Sequence, residues 1–208
     1  MESKEKNTKE KILEEALKLF AQSGYMGTSM NDIASKLGVT KAALYKHYKS
    51  KQEILDSIID KMNELDIERV KLYEMPEGDL EKVTAEYKET AYNKIKQFTK
   101  VQFLHWTEEE FSSCFRKMLT LEQYREPQMA QLYQNYLASG PLTYMEALFS
   151  GMLGDAGKAR QTALDFYGPI FLLYSIYDGA EDKSHVIKLL EEHMDHFLSL
   201  IHISEPTR

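Results

Sequence analysis

Several residue types and patterns are scarce in this chain of 208 residues, and each scarcity rules something out. Cys114 is the one cysteine, so no disulfide can close within the chain, and a reducing cytoplasm is the expected setting. No apolar run approaches the ~20 residues needed to cross a bilayer. The opening stretch MESKEKNTKEK has no apolar signal core. Alternating runs of Val, Ile and Thr are few. Apolar residues recur instead at spacings of three and four, which points to an all-α fold. Glycine-rich phosphate loops are missing, no serine sits in a nucleophile-elbow context, and no acidic pair stands out from the charged surface. An enzyme would have no residues to work with, and no cofactor is expected.

Arginine is also absent from residues 1–51, yet that segment is the basic one. It holds ten lysines against six carboxylates, a net +4, while the rest of the chain carries −11 and the whole −7. A basic head on an acidic body can hold DNA with one face and avoid it with the other. Charge alone would fit a solvated lysine surface equally well, so the decision rests on pattern. The hydrophobic share of 43% is that of an ordinary globular protein, and the length allows one large domain or two small ones.

The stretch from Thr28 to Lys51, TSMNDIASKLGVTKAALYKHYKSK, supplies that pattern. It predicts two short helices joined by a tight turn, then the start of a third. Ser29 and Asp32 form a capping box for the first, and Met30, Ile33, Ala34 and Leu37 give it one apolar face. Gly38 ends it, because so sharp a turn favours a residue tolerant of positive φ. Thr40 caps the second, with Ala43, Leu44 and Tyr48 inward and Lys41, Ala42, Tyr45 and Lys46 outward. Such a surface suits a DNA major groove: lysines reach phosphates or guanine edges, Ala42 allows close approach, and tyrosine hydroxyls bond phosphate oxygens. Ser50 and Glu53 form a second box, whose helix N-terminus, with Lys51 beside it, favours a phosphate.

Residues 12–60 resemble the N-terminal DNA-binding domain of the TetR family of bacterial transcriptional regulators. The resemblance is carried by Ile12, Ala16, Leu19-Phe20, Gly24, Thr28-Ser29, Ile33-Ala34, Gly38-Val39-Thr40, Leu44-Tyr45, His47-Tyr48, Ser50-Lys51 and Leu55. It covers about the first quarter of the chain, and departs from the family at Ala42-Ala43, where Gly or Pro is frequent. The resemblance implies an all-α homodimer of about nine or ten helices: an N-terminal helix-turn-helix domain and a C-terminal helical domain for ligand binding and dimerisation. Its DNA partner would be a double-stranded palindromic operator. Thr28, Ser29, Thr40, Tyr45, His47 and Lys51 would grip phosphates, and Lys41, Ala42 and Lys46 would face base edges.

The remaining chain divides by its breakers. Residues 1–6 are expected to be a polar arm, with a minor-groove role as the alternative, and helix one opens at Asn7 or Thr8. The helix from Ser50 runs to about Tyr73 and connects the two domains, 1–50 and 75–203. A long helix follows from Asp79 to near Trp106, and Thr107 with Glu110 caps the next. Pro127 starts another, broken at Gly140-Pro141. Two final helices, about 155–177 and 182–201, would pair with their twofold mates as the dimer interface, by the resemblance. Residues 204–208 are expected to be a tail without function.

Aromatic residues gather between residues 87 and 177. They are either ordinary core or, as the resemblance implies, the lining of a cavity for a small hydrophobic or aromatic effector: Tyr87, Phe98, Phe103, Trp106, Phe115, Tyr133, Tyr136 and Tyr174 are the candidates. A body that binds a protein partner instead, with DNA as its address, is the alternative. His193, His196 and Glu192 share a helix face but are read as a charged surface, so no metal is expected. Cys114, between Phe111 and Phe115, reads as a packed thiol rather than a redox sensor.

Overall fold

The computed structural model describes residues 2–200, with side chains from Asn7 onward. The described residues form eleven helices and no strand: α1 (Glu2–Ser23), α2 (Met30–Leu37), α3 (Lys41–Tyr45), α4 (Lys51–Leu72), α5 (Leu80–Glu89), α6 (Tyr92–Thr107), α7 (Glu110–Glu122), α8 (Pro127–Leu137), α9 (Ser139–Leu153), α10 (Ala156–Gly179) and α11 (Lys183–Leu200). The all-α expectation holds. No described helix is long and apolar enough to cross a membrane.

The described residues form two compact units: those up to Arg69 with Glu110–Tyr133, and Val70–Glu109 with those from Gln134 onward. In the first, α1 buries Ile12, Leu13, Ala16, Leu17 and Phe20, the stripe its 3.6-residue period dictates. Ile33 and Ala34 of α2, Leu44 of α3, and Ile54, Leu55, Ile58 and Met62 of α4 complete this core. The sequence reading places α7 in a domain of residues 75–203. Compactness instead groups it with the N-terminal helices, because Phe115, Met118 and Leu119 form a buried stripe and α7 packs along α1.

The second unit is centred on α10, which packs against α9, α11 and α6. Phe103 stacks on Tyr174 with ring centroids 5.2 Å apart and meets Tyr177 edge-on at 5.5 Å. Phe149, Phe166 and Phe197 form a second aromatic group, with centroids 5.1–6.0 Å apart. A polar seam joins α6 to α11. Tyr92 Oη and Lys96 Nζ both donate to Asp195 Oδ1 at 2.6 Å, and Lys100 Nζ donates to Glu191 Oε1 at 2.6 Å. The four-residue spacing on both helices aligns these pairs.

Several boundaries depart from expectation. Backbone helix begins at Glu2 instead of Asn7 or Thr8, so residues 2–6 extend α1 rather than forming an arm; the run of Glu and Lys there has high helix propensity. The single helix expected from Asp79 is two, since Thr90 adopts an extended conformation with ψ 127° and α6 restarts after Ala91. Thr107 caps nothing: it is the last residue of α6, buried, with its hydroxyl donating to Phe103 O at 2.8 Å. The break before α9 falls at Ala138, ahead of Gly140-Pro141, which sit in the first turn of α9 where proline is tolerated. As expected, by contrast, α10 runs on through Pro169. The expected end of the last helix at Ile201 and the tail 204–208 lie outside the described residues.

Phe20 is fully buried in the first unit. Replacing it with alanine is expected to destabilise the protein by roughly 3–5 kcal/mol, read from the midpoint of urea unfolding.

Candidate nucleic-acid interface

Local capping chemistry builds this face. Ser29 Oγ accepts the Asp32 N–H at 3.2 Å, and Asp32 Oδ2 accepts the Ser29 N–H at 2.8 Å, closing the capping box at the start of α2. At its other end Gly38 takes φ 67°, and the N–H groups of Gly38 and Val39 donate to Ser35 O and Ala34 O. Thr40 Oγ1 then accepts the Ala43 N–H at 3.2 Å to open α3. The box before α4 is only half formed. Glu53 N–H donates to Ser50 Oγ, but the Glu53 carboxylate reaches back one residue further, accepting the Lys49 N–H at 2.6 Å.

These caps set the faces of α3. Leu44 and Tyr48 are buried at 1% and 4% exposure, while Lys41, Ala42, Tyr45 and Lys46 are all exposed. Lys41 Nζ lies 5.8 Å from the centre of the Tyr45 ring, so cation and aromatic share one surface. Ser29 and Thr40 are exposed beside them. Lys9, which the sequence reading did not single out, sits over the Tyr48 ring at 5.6 Å. No local motif marks it, since the contact joins residues far apart in the chain.

Of the expected phosphate contacts, Thr28 and Lys51 are turned into the protein and His47 is half-buried. Thr28 is buried, and its hydroxyl donates to Gly24 O at 2.8 Å. Lys51 Nζ donates to Tyr25 O at 2.6 Å and Thr28 O at 2.7 Å, and lies 4.3 Å from the centre of the Tyr25 ring. Burial pulls its pKa down, against an opposing pull from the Glu122 carboxylate. His47 is half-buried, with Nδ1 enclosed and without a hydrogen-bond partner among the described residues. Thr28 and Lys51 therefore brace the α1–α2 turn rather than lie open on the surface.

The proposed effector-lining residues do not form one group. Phe115 and Tyr133 belong to the first unit; Tyr87, Phe98, Phe103, Trp106, Tyr136 and Tyr174 belong to the second. Within the second, Phe103 packs on Tyr174, Trp106 lies 6.4 Å from Tyr136, and Phe98 lies 6.1 Å from Tyr73. Burial pushes the Tyr87 phenol well above its ordinary range, with Tyr144 adding to the effect. His193 Nε2 is bonded to Phe166 O at 2.9 Å, and no cluster of three metal-ligating residues occurs among the described residues. Burial raises the Cys114 thiol, the opposite of an activated cysteine.

Residues 12–58 match the family model of bacterial regulatory proteins, tetR family. This N-terminal domain belongs to the TetR family. The biofilm operon icaADBC HTH-type negative transcriptional regulator IcaR of Staphylococcus epidermidis is 46% identical over 46 residues, which are 22% of this chain and 25% of IcaR. The match thus spans about a quarter of that relative's length. Over nearly the whole length the likeness is one of TetR-type fold. A TerR/AcrR-family regulator from Aquifex aeolicus VF5 aligns with a TM-score of 0.61 at 23% identity, covering 93% of this chain and 99% of its own. AibR, solved with isovaleryl coenzyme A and operator DNA, aligns at 0.59 and 20% identity, covering 88% and 95%. These relatives are regulators by name, not enzymes.

The hydrogen bonds from Ser29 hold the Asp32 carboxyl below its ordinary value of 3.8. A depressed pKa means the cap stabilises fully above that ordinary value and is lost as pH falls through the folded one. Asp32→Asn is therefore expected to lower the melting temperature at neutral pH, and the gap from wild type should close on acidification. Thermal melts by circular dichroism between pH 7 and pH 2 check this.

Proposed function

We propose that the chain is a DNA-binding transcriptional regulator, most simply a repressor, that holds a palindromic operator as a homodimer and is released by a small hydrophobic or aromatic effector. One observation carries the reading: α3 presents Lys41, Ala42, Tyr45 and Lys46 outward from a helix whose other face is locked into a core. In this reading Lys41, Ala42 and Lys46 meet base edges, while Ser29, Thr40, Tyr45 and His47 meet phosphates. The residue 1–50 domain reads DNA, α4 connects, and the remainder senses and dimerises.

The dimer is supported by α10. Leu164, Phe171, Leu172 and Ile176 are 38–60% exposed and follow helical spacing, an apolar stripe suited to a second copy of the chain. Twofold-related heads would read half-sites roughly 34–36 Å apart, or a multiple of that. The effector site is supported by the aromatic groups of the second unit. AibR, which shares the fold, was solved with both a coenzyme A thioester and operator DNA, and that pairing supports separate ligand and DNA sites. Release is then linkage: an effector preferring the conformer with badly spaced heads lowers operator affinity by that preference, about 1–3 kcal/mol per coupled site.

Selection of bound DNA from a random pool, with winners titrated at two salt concentrations, tests the reading. A palindromic winner that far outbinds random DNA at the higher salt supports it; binding without sequence preference that collapses with salt refutes it and favours the protein-partner alternative. On the selected operator, Lys46→Ala and Tyr45→Ala are each expected to cost about 1–3 kcal/mol in affinity with the dimer mass unchanged. Trp106→Ala is expected to alter the response to effector while leaving effector-free operator binding at the wild-type level, measured by fluorescence anisotropy.

A further inference from the structure

Glu122, the last residue of α7, is fully buried, and neither carboxylate oxygen accepts a hydrogen bond from any described residue. Arg125 Nη1 approaches Oε1 only to 3.5 Å, from a side chain that is 61% exposed. A buried carboxylate so poorly served costs stability, and a position kept at such a cost is a candidate for function. Its surroundings suggest what the cost secures. Gly24, at the end of α1 with φ 80°, leaves space for the carboxylate: a Cβ there would lie 2.0 Å from Glu122 Oε1. The same turn supplies the Tyr25 and Thr28 carbonyls that hold the Lys51 ammonium, and the Tyr25 hydroxyl donates to Gln52 Oε1 at 3.1 Å.

The Lys51 ammonium and the Glu122 carboxylate meet the same turn from two sides, the first at the Tyr25 and Thr28 carbonyls and the second at Gly24. We infer that Glu122 is a positioning residue, which together with Lys51 fixes α7 and α4 to the α1–α2 turn and so sets the angle at which the DNA-reading helix is presented. The pair ties together three elements: the end of α1, the first turn of α4 and the last turn of α7. Lys51 then acts on DNA through the turn it braces, not by touching a phosphate. The inference rests on the DNA-binding reading above.

The test uses the full-length protein, the selected operator and random DNA. Glu122→Gln keeps the shape and removes the buried charge, so its melting temperature should equal or exceed that of wild type. Its preference for operator over random DNA should fall roughly tenfold. Lys51→Met should lower the same preference while leaving the salt dependence of operator binding unchanged, whereas Lys46→Ala should reduce that slope by about one. The double variant should lose less than the two single losses combined. Stability and operator preference falling together in Glu122→Gln would make the residue merely structural and overturn the inference, as would an unchanged preference. A slope reduced by about one in Lys51→Met would make Lys51 a phosphate contact and overturn it also. A wild-type protein with no sequence preference would overturn the regulator reading, and this inference with it.

Discussion

A helix of five residues has no stability of its own, because nucleation costs more than so few hydrogen bonds return. The entire outward face of α3 stands on such a helix. It exists because each end is tied down: Gly38 turns the chain before it, Thr40 bonds its first orphan amide, and Leu44 and Tyr48 are held in a core built by its neighbours. Those apolar anchors set which residues face outward. A rotation by one residue position would drive Tyr45 inward and expose Leu44. The direction of the lysines is thus decided by packing, and only their number by charge.

The two units are held by different balances. In the first, the aliphatic stripes of α1, α4 and α7 dominate, with Phe20 and Tyr25 edge-on at 5.1 Å. In the second, aromatic rings fill the centre and a charged seam runs between α6 and α11. The seam's ion pairs are partly exposed, and such pairs contribute modestly to stability. Their geometry matters more for register: with Tyr92 and Lys96 sharing Asp195, and Lys100 on Glu191, sliding α6 by one turn would leave at most one of the two ion pairs.

What could be read in advance was what short-range chemistry decides. The Ser29–Asp32 box, the left-handed Gly38, the Thr40 cap and the inward Leu44 and Tyr48 all lie within a few residues of their causes, and each stands where the pattern put it. Farther-reaching decisions were illegible. Lys51 stands in a phosphate-contact motif, yet its ammonium is bonded to carbonyls more than twenty residues away. Thr107 looks like a cap in sequence, but its hydroxyl bonds back into the helix it ends. The grouping of α7 with the N-terminal helices depends on a stripe finding its mate, and no periodicity says which mate. Among the aromatic residues, spacing could not separate core from lining, and Phe115 and Tyr133 lie in a different unit from the other candidates.

The contact between Gly24 and Glu122 also constrains how this protein can change over generations. The backbone at Gly24 already disfavours any side chain, and the carboxylate occupies the space where one would begin. Shortening Glu122 would not by itself admit a larger residue at position 24, because the positive φ remains. Lengthening the residue at 24 without first retracting 122 would produce a clash. The glycine is therefore the more constrained of the two sites: a lineage can lose the acid and keep the glycine, but losing the glycine strains the backbone whichever residue stands at 122.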